Sequence, residues 1–300
     1  MSNSYQTECS LIFRHEAKFI YYLVQFFDTR NWSTLLIVLV VSISILAAAL
    51  YELGVVTKTS KKSVGKMRIV VLVDNNPYRQ GLETAWGLSV YVETGTVSFL
   101  FDTGPDPAVL KANAERLGID LAKIDFVVIS HVHGDHTGGL RLLASIKPEM
   151  TVYVPPDGSL ISYVKSLGLK PLQVNTTVEV SRGTYVVKPL YGPPVEEALA
   201  INTSRGLVVL VGCSHPGIVN IVEQAVKDVG ARPYIVLGGL HMAGAAIQEV
   251  QKVTSQLLKM GVEKIYPIHC SGDTIRSYLA SHYRDNYGGG GVGLEIVLQE

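Results

Sequence analysis

The six-residue segment His131–His136 constrains this chain more than any other feature. It reads HVHGDH and directly follows the apolar run Phe126–Ser130. Three imidazoles and a carboxylate cannot be buried together without hydrogen-bond partners or a metal ion. The same groups are suitable ligands for borderline divalent cations such as Zn²⁺. The segment therefore predicts a metal-binding loop at the end of a buried strand, rather than four unrelated polar residues.

Three further histidines each follow a predicted strand. His215 ends the motif GCSH, His241 ends GGLH, and His269 lies in PIHC. Loops at strand ends often carry functional sites because the sheet holds them rigidly. We expect His215 and His269 to be ligands, and His241 to be either a ligand or a group that faces the substrate. The remaining two histidines lie outside these motifs.

The chain has three cysteines, at positions 9, 213 and 270. They are too few and too scattered for a disulfide framework, which favours a reducing compartment. Cys213 is interpreted either as a buried small apolar side chain or as a thiolate ligand. Cys270 is expected to pack behind the loop that carries His269.

From Met67 onward, β-rich runs alternate with amphipathic segments, and we find no short internal repeat. A β-rich half followed by helices occurs twice, which two mixed sheets packed face to face with helices outside would satisfy. Strands are predicted at 68–73, 88–93, 97–101, 126–130, 151–154, 174–180, 184–189, 207–211, 234–237, 264–268 and 294–298. Helices are predicted at 107–117, 140–146, 159–167, 218–229 and 244–260.

The first 66 residues differ in character from the rest and are interpreted as an N-terminal extension to a domain at 67–300. The 22 residues 35–56 contain one charged residue, Glu52. As a helix they would extend about 33 Å, enough to span a bilayer. More positive charge follows the span than precedes it, which predicts a membrane-anchored domain on the cytoplasmic side. The alternative is translation from Met67, which would make the domain a cytoplasmic protein without an anchor.

The amino-acid composition and net charge limit the kinds of molecule that this protein is expected to bind. The chain is 47% hydrophobic and 17% charged, which argues against a disordered protein. Its net charge is zero, so a nucleic-acid binder that works by bulk electrostatics is not expected. A small-molecule substrate is the expected partner, and the oligomeric state is left open.

The motif HVHGDH, with LFDTG upstream, resembles the metallo-β-lactamase superfamily from about Met67 to the C-terminus. Within it, the segments GLSVYVETGTVSFLFDTG, GCSHPGIVNIVE, GGLH and PIHCSGD are similar to one subgroup. That subgroup is named for 7,8-dihydropterin-6-methyl-4-(β-D-ribofuranosyl)aminobenzene-5′-phosphate synthase, a pterin-joining enzyme of archaeal methanopterin synthesis. The resemblance implies a mixed α/β fold, a four-layer αββα sandwich, with two divalent metal ions at the sheet edges.

The resemblance also implies roles for individual residues. His131 and His133 would bind the first metal ion. Asp135 and His136 would face the second ion, and His269 would complete its site.

Two further positions depart from the superfamily pattern, and a third residue would support the site without binding a metal ion. No histidine lies between His136 and His215, so His215 would supply the ligand of the usual third motif. Cys213 occupies the position where many relatives carry a bridging aspartate, so the bridge would be a thiolate or missing. Asp102 would orient the ligand loop by hydrogen bonding.

These features predict a metal-dependent hydrolase that attacks a carbonyl or phosphoryl centre. Zinc is the favoured ion, and iron and manganese are the alternatives. Asp135 would hold or deprotonate a water molecule, and His241 would donate a proton or stabilise negative charge.

Two alternatives stay open. One is a pterin-related transferase that releases pyrophosphate from a phosphorylated or pterin-like substrate. The other is a membrane-tethered module that binds a metal or ligand without catalysis. The stretch before GCSH is short and contains only two acids, Glu196 and Glu197, whereas the subgroup often has a longer acidic insertion there. We therefore expect a different substrate pocket.

Overall fold

The computed structural model describes residues 32, 36, 37, 39–44, 63–95 and 97–299. The chain divides into two compact units, residues 1–60 and residues 61–300. In the first unit, the described residues 39–44 are helical. In the second unit the first strand begins at Lys66. Strands and helices are numbered below within the second unit.

The predicted membrane span is not supported. No helix in the described part of the chain is both long enough and apolar enough to cross a membrane. Of the span at 35–56, only residues 36, 37 and 39–44 are described, and the other residues lie outside the described part. The location of the protein in the cell stays a prediction.

The first sheet has seven strands in the order β13-β1-β2-β3-β4-β5-β6. Strands β13, β1, β2 and β3 pair antiparallel, and strands β3 to β6 pair parallel. The strands are β1 (Lys66–Val73), β2 (Ser89–Thr94), β3 (Ser98–Phe101), β4 (Phe126–Val128), β5 (Thr151–Val154), β6 (Lys170–Gln173) and β13 (Glu295–Gln299).

The second sheet has six strands in the order β12-β11-β10-β9-β8-β7. Strands β7 to β10 pair antiparallel, and β10, β11 and β12 pair parallel. Each sheet therefore has an antiparallel half and a parallel half, as the repeated order of elements predicted. The strands are β7 (Val178–Ser181), β8 (Thr184–Tyr191), β9 (Val195–Thr203), β10 (Gly206–Val211), β11 (Pro233–Gly239) and β12 (Lys264–Ile268).

Seven helices are described in the second unit, and they cover the outer faces of the sheets. Apolar side chains of α1, α3 and α4 pack on the first sheet, and those of α5, α6 and α7 pack on the second. The helices are α1 (Pro107–Arg116), α2 (Gly134–Thr137), α3 (Leu140–Ile146), α4 (Gly158–Ser166), α5 (Ile218–Val229), α6 (Ile247–Lys259) and α7 (Asp273–His282). Together, the helices and sheets form a mixed α/β fold of four layers.

Strand periodicity explains this layering. Successive side chains of a strand point to opposite faces of its sheet. On β10, Val208 and Leu210 enter the core between the sheets, whereas Val209 and Val211 pack under the helices of the second sheet. Because both faces are covered, all six residues of β10 are buried. Such strands appear in the sequence as continuous apolar runs.

Four elements were absent from the sequence prediction: strands β6 and β9, helix α7 and the one-turn helix α2 inside the ligand motif. Strand β9 begins with VEE, and its two adjacent acids are not typical of a buried strand, so the strand was not predicted. Both Glu196 and Glu197 are nevertheless buried. Strand β6 is polar and mostly exposed, as expected of an edge strand. Helix α7 follows the last histidine motif and buries only Ile275 and Leu279, so its apolar pattern is weak.

Phe99 tests the core between the sheets. Its ring is fully buried and stacks on Phe126, with the ring centroids 4.7 Å apart. Phe99→Ala should lower the free energy of unfolding of the full chain by about 3–5 kcal/mol, measured by denaturant unfolding. Val297→Ala, at a position 48% exposed, should change it by less than about 0.5 kcal/mol. Equal effects of the two variants would contradict this core.

Candidate metal centre

Loops from both sheets meet at one edge of the sandwich. The segment His131–His136 follows β4 in the first sheet. In the second sheet, Cys213 and His215 follow β10, His241 follows β11, and His269 follows β12. These are the carboxyl ends of parallel strands, where ligand sites form in α/β folds. The side chains of His131, His133, Asp135, His136, Cys213, His215 and His269 are called the histidine cluster below.

The backbone of these loops is strained. Among the described residues, five non-glycine residues have positive φ angles, and four of them lie at this edge. They are Asp102 at 58°, Ser214 at 66°, His241 at 51° and His269 at 53°. Each such conformation costs of order 1–3 kcal/mol and persists only where its surroundings impose it. Strain gathered at one edge marks it as a functional site.

Two glycines allow the loops to approach closely. A Cβ atom at Gly212 would lie 2.1 Å from Ser130 Oγ, so the loops after β10 and β4 touch. A Cβ at Gly239 would lie 2.6 Å from Cys270 Sγ and 3.2 Å from the His269 ring. Any other residue at either position would push the ligand loops apart.

Asp102 orients two histidines from beneath the site. Its carboxylate is fully buried and accepts hydrogen bonds from Ser130 N at 2.7 Å, Ser130 Oγ at 2.8 Å and His136 Nδ1 at 2.7 Å. Since the Ser130 hydroxyl donates its one proton to Asp102, it accepts from His131 Nδ1, 2.9 Å away. Both imidazoles therefore carry their proton on Nδ1, which leaves a lone pair on Nε2.

Glu196 orients His215 in the same way. The buried carboxylate accepts from His215 Nδ1 at 2.8 Å and from the backbone amides of Cys213, Ser214 and His215 at 2.8–2.9 Å. These bonds lower the pKa of Glu196, although burial alone would raise it. The carboxylate therefore stays ionised and leaves Nε2 of His215 free for a cation.

His269 is held by residues that follow β1. Its backbone amide donates to Asp74 at 2.7 Å, and its Nδ1 lies 3.1 Å from Asn75 Oδ1. Its Nε2 is buried and makes no hydrogen bond within the described part of the chain. This nitrogen lies 3.4 Å from Asp135 Oδ2. A buried nitrogen without a partner is costly unless a cation occupies its lone pair.

The ligand atoms fall into two groups that share one sulfur atom. In the first group, the ligand atoms of His131, Cys213 and His215 lie within 4.8 Å of one another. We assign His133 to this group as well, because its Nδ1 is 3.1 Å from His131 Nε2. In the second group, the ligand atoms of His136, Cys213 and His269 lie within 4.8 Å of one another.

Asp135 belongs to the second group. Its Oδ2 atom lies 3.6 Å from His136 Nε2 and 3.4 Å from His269 Nε2. Burial would raise its pKa, but the neighbouring imidazoles of His269 and His136 lower it to about 2. Asp135 is therefore ionised at neutral pH. Imidazole, carboxylate and thiolate donors at these separations fit two borderline divalent ions.

The charge states of the histidines favour cation binding. Burial and neighbouring imidazoles lower the pKa of His131 well below its ordinary value, and the same causes lower the pKa of His133. Both rings are therefore neutral with available lone pairs. Burial would lower the pKa of His136, but the Asp102 charge raises it. The raised pKa favours a second proton on the ring, at Nε2. A cation must displace this Nε2 proton, so cation binding at His136 weakens in acid.

His241 and Cys270 lie beside the cluster. The His241 ring is exposed, with its centroid 4.7 Å from that of His215. The ligand atoms of Cys213, His241 and Cys270 lie within 4.8 Å of one another. Hydrogen bonding between the thiols raises the pKa of Cys213 and lowers that of Cys270 to about 5. Cys270, expected only to pack, thus contacts the sulfur atom that both groups share.

Several residues of the site were absent from the sequence prediction of site residues. Ser130, Glu196 and Asn75 orient imidazoles, and Trp86 is 59% exposed with its ring centroid 5.3 Å from that of His269. Ser130 immediately precedes the ligand motif, and this position in the sequence could have indicated a role in orienting His131. The acidic pair in VEEALA was noticed, but only the pairing of β9 shows that Glu196 reaches His215.

Comparison with protein families and with curated proteins gives two matches. Residues 87–229 match the family model described as the metallo-beta-lactamase superfamily. The chain is 25% identical over 276 residues to 7,8-dihydropterin-6-methyl-4-(beta-D-ribofuranosyl)-aminobenzene-5′-phosphate synthase of Methanocaldococcus jannaschii. That alignment covers 75% of this chain and 94% of the synthase.

Solved structures share the fold. A protein described as a metal-dependent hydrolase of the beta-lactamase superfamily is 26% identical, with a TM-score of 0.67. The match covers 78% of this chain and 100% of that chain. A diphosphatase from the PhnP family is 18% identical, with a TM-score of 0.53, over 78% of this chain and 97% of its own. The second likeness shows the fold alone.

The hydrogen bonds of Asp102 predict a defect in metal affinity. Asp102→Asn keeps the shape of the side chain but replaces one acceptor oxygen by an N–H donor. We expect the affinity for zinc to fall by about 10–100-fold, measured by competition with a chromogenic chelator. Asp285→Asn, at an exposed position, is the matched control and should bind zinc as the wild type does. An unchanged affinity in Asp102→Asn would contradict the orienting role.

Glu197 predicts a dependence of stability on pH. The side chain is 1% exposed, and neither carboxyl oxygen has a hydrogen-bond partner among the described residues. Burial therefore raises its pKa well above the ordinary 4.5. Above about pH 4.5, the folded chain keeps a proton that the unfolded chain loses, so the free energy of unfolding falls as pH rises.

Glu197→Gln should remove this contribution, which is at most about 1.4 kcal/mol per pH unit. The stability difference between variant and wild type should therefore grow in favour of the variant from about pH 5 to pH 8, measured by urea unfolding. Glu223→Gln, at an exposed position of α5, should show a constant difference. A constant difference for Glu197→Gln as well would contradict a protonated Glu197.

Proposed function

Since residues 87–229 match the family model of the metallo-β-lactamase superfamily, we propose that the chain is a metal-dependent hydrolase whose histidine cluster holds two divalent ions. One observation carries the proposal. His131, His136 and His215 each donate Nδ1–H to a partner that leads to a buried carboxylate, which leaves each Nε2 free as a ligand. Such preorganisation is typical of metal ligands.

The donor set divides into two sites. His131, His133 and His215 would hold one ion, and Asp135, His136 and His269 the other. Cys213 would contribute its thiolate between the two sites, since its sulfur atom belongs to both groups. Two ions held there would lower the pKa of a water molecule and polarise a carbonyl or phosphoryl oxygen, which would supply a nucleophile at neutral pH. Zinc suits the nitrogen and sulfur donors.

The residues of the chain then have distinct tasks. Because the pKa of Asp135 is about 2, Asp135 is a poor general base near neutral pH. It is better suited to holding and orienting water, as a ligand with a fixed negative charge. His241 is exposed at the rim and would transfer a proton to the leaving group, since imidazole is the most common general acid.

A second candidate is a pterin-related transferase, which the match to the dihydropterin synthase favours. The same cluster would hold the pyrophosphate of a dihydropterin pyrophosphate, and an arylamine nitrogen would replace water as nucleophile. The C–O bond to pyrophosphate would break as the C–N bond forms, with the amine proton lost to a base. Release of pyrophosphate that requires both substrates would support the transferase, and release with the pterin alone would support the hydrolase.

Variants of the ligand histidines test the proposal. The full chain with the double substitution His131→Ala and His133→Ala should lose bound zinc and hydrolysis of bis(4-nitrophenyl) phosphate together. His241→Gln should keep its zinc and lose about 10²–10⁴-fold in kcat. His282→Ala, on the exposed end of α7, is the control and should keep both properties. Hydrolysis that survives without bound metal would disprove the proposal.

Cys213 tests the shared ligand. Cys213→Ser replaces a thiolate by a neutral hydroxyl and should reduce the zinc content from two ions to one per chain, measured by elemental analysis after gel filtration. Cys213→Asp restores an anionic ligand and should keep two. Cys270→Ser is the matched control, since Cys270 touches Cys213 but belongs to neither main group, and it should also keep two. A full content of two in Cys213→Ser would argue against a bridging thiolate.

A further inference from the structure

A cavity of about 500 Å³ lies beside the histidine cluster. Its walls come from loops and helices that follow β3, β4 and β5, such as Pro107, Val132 and Leu160. The cavity therefore opens at the carboxyl ends of parallel strands, the edge that also carries the cluster. Its volume lies within the range of small-molecule sites, roughly 300–1,000 Å³.

The cavity shares a wall with the ligand loop. Val132 and Gly134 line it, and they flank His133, whose exposed ring belongs to the first ligand group. The histidines themselves do not line it. A molecule whose reacting group lies at the cluster could therefore pass over His133 and place its other end in the cavity.

The cavity lining combines one positively charged side chain with a mainly apolar wall. Arg141 is the one charged residue that lines it, and its guanidinium makes no hydrogen bond or ion pair with the described residues. The hydroxyls of Thr137 and Ser159 donate within the chain, to His133 O and to Asp157. Proline, valine and leucine side chains form most of the remaining wall, together with Tyr163. An apolar group that ends in an anion complements this lining.

We propose that this cavity binds the non-reacting end of the substrate, an apolar ring or short chain that carries a carboxylate or phosphate paired with Arg141. The inference rests on the proposed function, because it places the reacting end of the same molecule at the histidine cluster. Arg141 is thus a residue that determines substrate specificity. Carboxylate and phosphate share the bidentate geometry that guanidinium recognises, so the experiment separates them.

The test uses three phosphodiesters with the same 4-nitrophenyl leaving group and the zinc-loaded full chain. Their second ester group is phenethyl, 4-carboxyphenethyl or 4-phosphophenethyl. Arg141→Gln should raise KM for the two anionic substrates by about tenfold or more, with kcat unchanged and the phenethyl KM within about twofold. Arg141→Lys should restore part of the loss. The larger of the two effects identifies which anion the cavity prefers.

Lys165→Gln is the matched control, since it removes one positive charge from α4 at an exposed position outside the cavity lining. It should leave all three KM values unchanged. Equal effects of Arg141→Gln and Lys165→Gln would overturn the proposal, because they would reflect the net charge alone. A loss of kcat for phenethyl as well as anionic substrates in Arg141→Gln would also overturn it.

A binding measurement separates this inference from the proposed function. Ligand-observed NMR would follow 4-ethylbenzoate and 4-ethylphenyl phosphate with the metal-free full chain, in which the cluster cannot hold a phosphate through metal ions. Binding that is lost in Arg141→Gln and kept in Lys165→Gln supports the cavity, even if no phosphodiester is hydrolysed and the proposed function fails. Absence of binding to the wild-type chain, or equal binding to both variants, would overturn the cavity.

Discussion

The buried carboxylate of Asp102 accepts three hydrogen bonds, from Ser130 N, Ser130 Oγ and His136 Nδ1. A buried carboxylate is tolerable only when such partners surround it. The bonds tie the end of β3 to the end of β4, and a side chain at Gly212 would reach within 3.2 Å of the same carboxylate, from the loop that follows β10. Asp102 therefore holds the ends of β3 and β4 together, next to the loop that follows β10, at the edge where the ligands meet.

Much of the fold follows from short-range patterns in the sequence. The apolar run at 207–211 predicted a strand, which the structure contains as part of β10, and the helix at 218–229 was predicted at its observed bounds. Strand β9 shows the limit of such patterns. The Glu196 carboxylate is buried because its hydrogen-bond donors lie in the loop after β10, and a local pattern cannot indicate such a long-range hydrogen bond.

The candidate site shows the same division. Histidines at strand ends could be identified one by one, since each motif is local. Which acceptor orients each ring could not be identified, because Glu196 meets His215 through the turn after β10 and Asn75 meets His269 across 194 residues of sequence. The position of Cys213 between both ligand groups also depends on how the two sheets pack.

The central claim is that this edge of the sandwich holds two metal ions on oriented imidazoles with a thiolate between them. The most direct measurement is a crystal structure of the zinc-loaded full chain, with anomalous difference maps on both sides of the zinc absorption edge. The account predicts two zinc peaks about 3.5–4 Å apart, each about 2.3 Å from the sulfur atom of Cys213. A single peak, or no peak within the histidine cluster, would contradict it.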